Sequence, residues 1–324
     1  MRSVLSSSRP LFVIALSVII ASSRSLHAGA EAGQPGGYLR AGVGARSAAL
    51  GNAYVALADG PEAGYWNASG LAWERRPAFS SMVSSLSLNR QFSYFGLGLA
   101  WDKAGDTLNA QRPQQFKVSS AWGTWSGSWI NFSLGNDFEG RASDTATFYA
   151  FGDQQNAYLL SHGRALTPWL AVGGSLKLLD RRLDTFSARG LGADLGTTVL
   201  LGSQFRLSVQ AQDLGTKLTW STGYEERLPL TVRVGFAGWI WKDRLMAAVQ
   251  VEQVEGRQPS PAIGLEGTVA SVLQGRLGWQ KDGLTLGGGL LIALAGLRGS
   301  LDYAYLPDPL QQGVAQRLSV GVSF

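Results

Sequence analysis

The sequence predicts an all-β protein: a closed antiparallel transmembrane β-barrel of fourteen strands, preceded by a small helical N-terminal segment. Four observations predict it. From about residue 78 to the C-terminus, apolar and polar residues alternate with a period of two, as on strands with unlike faces. The alternating runs are about ten residues long, enough to cross a bilayer when tilted by about 45°. The polar face is small, rich in Gly and Ser. Aromatic residues gather at run ends (Trp101, Trp169, Trp220, Trp239, Trp241, Trp279 and Tyr305), where interfacial girdles belong. A soluble sandwich also alternates. An exported chain whose strands each carry a wholly apolar face must instead close on itself, because a sheet edge in lipid leaves backbone groups unpaired.

Export is read from residues 1–30, which form a signal peptide. Arg2 and Arg9 precede the apolar run from Leu11 to Ala21, and a small-residue segment ends Ala28-Gly29-Ala30. A run of about eleven apolar residues is too short to span a membrane. Cleavage is expected after Ala30, with Ala28 as the alternative. The chain of 324 residues carries a net charge of +5, which suggests a nucleic-acid partner. The leader, however, contains Arg2, Arg9 and Arg24 and no acid. Its removal leaves 25 basic against 23 acidic residues, or +2, and nucleic acid drops out as a partner. Zero cysteines exclude a disulfide framework, a thiolate metal site and a Cys nucleophile, and two histidines leave little room for a His cluster. No cofactor and no metal are expected.

Residues 31–77 break the period-two rule and form a separate N-terminal segment. Its small residues suit close packing in a confined space; Ala45 to Ala58 reads as a compact helix, and Asp59 ahead of Pro61 reads as the cap of a second short one. Residues 78–324 are the barrel. Runs lie near 78–89, 91–102, 115–124, 127–137, 156–166, 168–182, 188–201, 204–214, 229–240, 244–254, 260–270, 272–281, 284–293, 297–306 and 315–324. Fifteen runs conflict with the even strand number of bacterial barrels. One run between 103 and 155, where alternation is poorest, is therefore assigned to loop. The faces separate cleanly elsewhere: Leu170, Val172, Leu176 and Leu178 lie opposite Ala171, Gly173, Ser175 and Lys177. The last run alternates through Leu318, Val320 and Val322 to a terminal Phe324, an ending like the strand by which the barrel-assembly machinery recognises its clients.

With the apolar faces turned outward, the inward set contains Lys177, Asp194, Arg206, Arg233, Glu252, Glu266, Arg276, Arg298, Asp302 and Arg317. Both signs occur on neighbouring strands, Arg233 beside Glu252 and Glu266 beside Arg276. Unpaired ions in a narrow lumen are costly, so an interior ion-pair network is expected. No enzyme is read here. Gly42-Val43-Gly44 lacks the third glycine of a dinucleotide loop. Ser161 and His162 are adjacent but have no supporting constellation.

The segment Gly44-Ala45-Arg46, Gly51, Ala53 to Asp59, Ala63, Tyr65-Trp66-Asn67 and Gly70-Leu71 resembles the signature of the PorV/PorQ family, relatives of the FadL-type outer-membrane transporters. Ala68-Ser69 stands where that family usually has Pro-Ala. Further similarity lies in Gly192-Ala193-Asp194-Leu195-Gly196, Asp213-Leu214-Gly215, Leu228-Pro229 and Asp302-Tyr303-Ala304-Tyr305. The resemblance implies fourteen strands, an N-terminal segment folded into the barrel lumen as a plug, and a lock on that plug from Arg46 and Asn67. It also implies an outer-membrane location in a Gram-negative-type cell and a non-enzymatic role in transport or secretion. A cargo shuttle of type IX secretion is favoured on the motif, and a FadL-like channel for hydrophobic small molecules is the alternative. The expected partners are outer-membrane lipid, the barrel-assembly machinery, and either secreted cargo or hydrophobic small molecules. The oligomeric state is left open.

Overall fold

A computed structural model describes residues 35–100, 122–141, 144–241, 244–270, 272–294, 296–308 and 313–324. The leader, Trp101 and most of the run at 115–124 lie outside the described residues. Fifteen strands follow the N-terminal segment: β1 (Ala78–Leu86), β2 (Arg90–Ala100), β3 (Thr124–Gly140), β4 (Tyr149–Thr167), β5 (Leu170–Leu183), β6 (Phe186–Leu201), β7 (Phe205–Trp220), β8 (Glu225–Arg227), β9 (Thr231–Ile240), β10 (Leu245–Val254), β11 (Ser260–Ala270), β12 (Leu273–Gln280), β13 (Gly283–Leu294), β14 (Leu297–Pro307) and β15 (Val314–Ser323). Each barrel strand pairs antiparallel with its sequence neighbours, and β1 pairs with β15 from Ala78↔Ser323 onward, closing the ring. The three-residue β8 hangs on the edge of β7, which pairs directly with β9. Among the described residues the ring therefore has fourteen strands.

Alternation decides which face meets lipid. Leu97, Leu160, Leu176, Leu195, Ile263, Leu286 and Leu318 stay 46%, 53%, 67%, 60%, 47%, 52% and 49% exposed on the outside, which only a hydrocarbon surround makes favourable. The inward neighbours Ser161, Ser175, Lys177, Thr198, Gln210 and Arg233 are buried. No helix among the described residues is long and apolar enough to cross a membrane, so the strands do the crossing. Two aromatics assigned to girdles depart from that reading. Trp220 and Trp239 have inward parity and pack against the core, where Arg181 lies over Trp220 and Arg206 over Trp239 at 5.3 and 4.9 Å from the ring centroids. Proximity to a strand end sets depth, whereas parity sets the face.

The wall is uneven in height. Strands β3 to β7 run 17, 19, 14, 16 and 16 residues, against 9 for β1 and 8 for β12. The extra length projects from the end opposite the one where β1 begins and β15 finishes. That far end is here the distal end, the other the terminal end.

The segment 35–77 runs inside the ring. Its helices are shorter than the sequence suggests. The first, α1 (Ala45–Ala49), stops at a left-handed turn through Gly51 (φ 64) and Asn52 (φ 62). A Cβ at Gly51 would meet the Trp279 carbonyl oxygen at 2.6 Å, so the chain can turn there only without a side chain. Beyond the turn, the wall replaces the helical partners: Tyr54 and Val55 donate their N–H groups to Gln250 Oε1 at 3.2 and 2.9 Å. The second helix, α2 (Ala63–Trp66), has no side-chain cap, because Asp59 is engaged elsewhere.

Candidate functional site

The lumen is filled by the segment, held at points right around the ring. Arg317 on β15 donates to the Gly42 and Ala41 carbonyls at 2.7 and 2.8 Å. Ala45 N–H donates to Ser319 Oγ at 2.8 Å, and Thr285 on β13 donates to Ala49 O at 3.0 Å. Asn52 reaches Gln280 on β12. Ser175 on β5 and Gln210 on β7 donate to the Gly64 and Tyr65 carbonyls, each at 2.7 Å. Wall side chains thus satisfy backbone groups that a segment with so little helix leaves open.

Asn67 is fully buried and makes the most varied contacts of the segment. Its Nδ2 donates to Thr197 O, Thr198 Oγ1 and Val55 O at 3.3, 3.2 and 3.4 Å, while its Oδ1 accepts from Ser69 N at 3.1 Å and Ser69 Oγ at 2.7 Å. This network encloses the Asn67-Ala68-Ser69 sequence. Trp66 donates its indole N–H to Val43 O at 2.8 Å and lies edge-on to Tyr65. Gly44 sits against the Glu62 carboxylate, and Gly70 against the Ala58 carbonyl, where a Cβ would collide. The wall yields in the same way: Gly163, Gly173 and Gly196 are direct cross-strand partners on β4, β5 and β6, and each lies against Ala68, Ser69 or Asn67. Part of the glycine excess serves this contact zone.

Charges inside the barrel form separate clusters rather than one chain. Arg276 on β12 bridges Glu266 at 2.7 Å and Asp302 at 2.6 Å. Glu266 also takes Arg46 of the segment, whose Nε lies 2.8 Å away; Arg46 Nη1 reaches Asp59 at 2.9 Å. Arg233 pairs with Glu252 at 2.7 Å and donates to Gln210 and Gln212. Lys177 bonds Asp194 at 2.8 Å and also Asp213, which a bulged β7 turns inward at φ 65. Arg206 stacks between Trp73 of the segment and Trp239. Arg298 stands at the terminal end of β14, on the same face as Asp302 with Ser300 between them. Phe324 closes the last strand by donating its N–H to Pro77 O at 3.0 Å. Sequence reading missed Asp213, Asp153–Arg181 at 2.8 Å and Arg90–Asp308 at 2.8 Å. The first depends on a bulge that alternation cannot show, and Asp308 follows the end of β14. Ser161 and His162 point to opposite faces of β4: Ser161 donates to Gly64 O inside, and His162 rests on Trp125 outside.

Replacing Arg276 with Met strips the shared cation from two buried carboxylates. The expected loss is about 3–5 kcal/mol of stability, read as a lower urea midpoint of the folded barrel. A second expectation concerns pH. Burial, with Asp59 and Asp302 adding and Arg46 and Arg317 opposing, pushes the Glu62 carboxyl up to about 8. Burial likewise lifts Glu74 to about 7, against the Gly60 N–H that favours its charged form. Ionising either group costs the docked state more than the undocked one, so protection weakens as pH rises from the ordinary 4.5 through about 8. Protease cleavage within 42–73 should be faster at about pH 9 than at about pH 6, and E62Q should flatten that difference.

The distal end carries a different surface. Phe132 and Leu134 on β3, Tyr149 and Phe151 on β4, Leu183 on β5 and Phe186 on β6 share inward parity on the projecting wall, interspersed with Gln155 and the Asp153–Arg181 ion pair on the same face. Tyr38 of the segment lies beneath them, 6.4 Å from Phe132. An aromatic vestibule thus opens above a filled lumen.

No protein-family model and no curated protein matches the chain. Solved structures do. The Pseudomonas putida toluene transporter TodX aligns at 14% identity over 87% of this chain and 97% of its own, with a TM-score of 0.57. This chain has that transporter's fold. A deltaS2 mutant of TodX, described as a monoaromatic hydrocarbon channel, gives 12% identity, the same coverage and a TM-score of 0.53. A Pseudomonas aeruginosa FadL homologue gives 8% identity over 84% of this chain and 95% of its own, with a TM-score of 0.49. A closed ring of this kind with an apolar exterior is an outer-membrane barrel.

Proposed function

We propose that the protein is a FadL-type channel that admits hydrophobic small molecules through the outer membrane, capturing them in the distal vestibule. The observation that carries the reading is that vestibule: Phe132, Phe151, Leu183 and Phe186 line the inside of a wall taller than the rest of the barrel. Apolar ligands bind in concave, largely apolar sites, and nothing in the charged lumen offers one. The toluene transporter TodX, whose fold the chain shares, supports uptake over the cargo shuttle favoured on the N-terminal motif. The finer kinship with PorV/PorQ rests on that motif. Arg46 and Asn67 act here as the lock on the plug, one through Glu266 and the other through Thr197 and Thr198.

The test is uptake of radiolabelled toluene and of a labelled long-chain alkane by cells expressing the protein. Uptake above an empty-vector control, reduced about tenfold in F151S/L183S, is expected from the loss of two apolar contacts. Uptake that ignores those substitutions overturns the reading. Co-purification of exported proteins with a barrel that takes up neither probe would return the cargo role to first place.

A further inference from the structure

Outward-facing charge is confined to one sector. On β1, β2 and β9 to β15, the outward positions among the described residues hold no Asp, Glu, Lys or Arg. On β3 to β8 the outward positions among the described residues hold Glu139, Arg164, Asp180, Arg182, Arg189, Lys217, Glu225 and Arg227, all but Arg164 toward the distal half. Cross-strand register gives the height of this patch. One outward row runs Trp129, Tyr158, Leu178, Leu191 and ends in Lys217 and Arg227, and the next row toward the distal end runs Asn131, Asn156, Asp180, Arg189, Thr219. The wall thus passes from 47% exposed Leu178 and 71% exposed Leu191 to polar groups in a single two-residue step. That step marks the edge of the apolar belt, the depth at which lipid headgroups lie.

We propose that this patch binds the phosphate headgroup of an anionic lipid in the leaflet bordering the distal end. Four cations there face three acids, Asp180 and Glu225 on the strands and Glu255 just after β10. Three of the cations are held only by exposed cross-strand or loop pairs: Arg189 to Asp180 at 3.1 Å, Lys217 to Glu225 at 3.2 Å, and Arg227 to Glu255 at 3.8 Å. Arg189 is 83% exposed in its side chain and Lys217 60%, so most of their donors stay open to a ligand. Arg182 makes no ion pair among the described residues. A guanidinium fork suits a phosphate's paired oxygens, and Asn131 and Thr219 add neutral donors on the same row. The acyl chains of such a lipid would lie on Leu178 and Leu191 directly below. Cations near an anionic headgroup layer attract it over short range; the same cations in hydrocarbon would be costly, in keeping with their absence from the outward faces of β1, β2 and β9 to β15 among the described residues. The proposal rests on the barrel's place in the membrane and not on the uptake reading.

The experiment is native mass spectrometry of the full chain, folded in neutral detergent and exposed to equimolar phosphatidylglycerol and phosphatidylcholine. Retention of phosphatidylglycerol about tenfold above phosphatidylcholine is expected, lost in R182Q/R189Q/K217Q and kept in R164Q, an outward cation at the terminal end. Heat-modifiable migration on gels reports that each variant is folded. If the triple variant does not fold, each single Gln variant should lower the ratio, and R189K should restore it. Equal retention of both lipids by the wild type, or undiminished preference in the folded variants, overturns the proposal.

Discussion

Excision of residues 42–73 turns a closed barrel into an open pore. In a planar bilayer the intact protein should pass little current, because the segment meets the wall from β4 round to β15 and the lumen-facing glycines lie against its backbone. The excised protein should conduct at least about tenfold more, since a fourteen-strand ring is wider than the eight-strand barrels that side chains alone can fill. Its lumen would keep the charges of Arg233, Arg276, Glu252 and Asp302, now hydrated instead of packed. The excised chain must first pass the heat-modifiability test for a folded barrel. A folded, excised barrel no more conductive than the parent would mean that the wall, and not the segment, closes the path.

Gly173→Val should have the largest effect of any single substitution. A side chain there runs into the Ala68 carbonyl and the Ser69 nitrogen, which are backbone atoms held by the Asn67 network and unable to move aside singly. Overpacking usually costs about 1–3 kcal/mol, and a clash with backbone in a filled lumen should exceed that range. The variant therefore either unfolds at lower urea or expels the segment. Expulsion is read as rapid protease cleavage between Ala45 and Trp73 with the barrel intact. Gly127→Val is the matched control, an outward strand glycine with open space where the Cβ would lie. It should keep the wild-type urea midpoint and protease pattern. Equal tolerance of both substitutions would refute the close-packed contact zone.

Much of the fold was legible because a strand's two faces are written in consecutive residues. Lys177, Ser175 and Gly173 had to share a side whatever the rest of the chain did, and so did Leu176 and Leu178. Once one side was apolar throughout and the first thirty residues read as an export signal, closure was the expectation from the cost of unpaired backbone in lipid. The ten inward charges were found the same way, by parity. Alternation does not reveal partners. Arg233 and Glu252 could be matched because β9 and β10 are joined by a short turn that fixes their register. The second acid on Lys177 could not, because Asp213 faces inward only through a bulge in β7.

The N-terminal segment marks the boundary of local reasoning most clearly. Its sequence between Ala45 and Ala58 favours a helix, and an isolated chain would have no better use for its N–H groups. Inside the barrel Ser319 accepts from Ala45 N–H and Gln250 from those of Tyr54 and Val55, and the helix ends after one turn. Asp59 likewise leaves its capping place for Arg46 and Tyr54. The sequence by itself determined a two-faced, closed, lipid-facing wall, since that pattern is carried by neighbours along one strand. Only the tertiary structure decided which charges meet, how far the plug is helical and which side of the wall stands tall. Those outcomes depend on register and on groups brought together from distant parts of the chain.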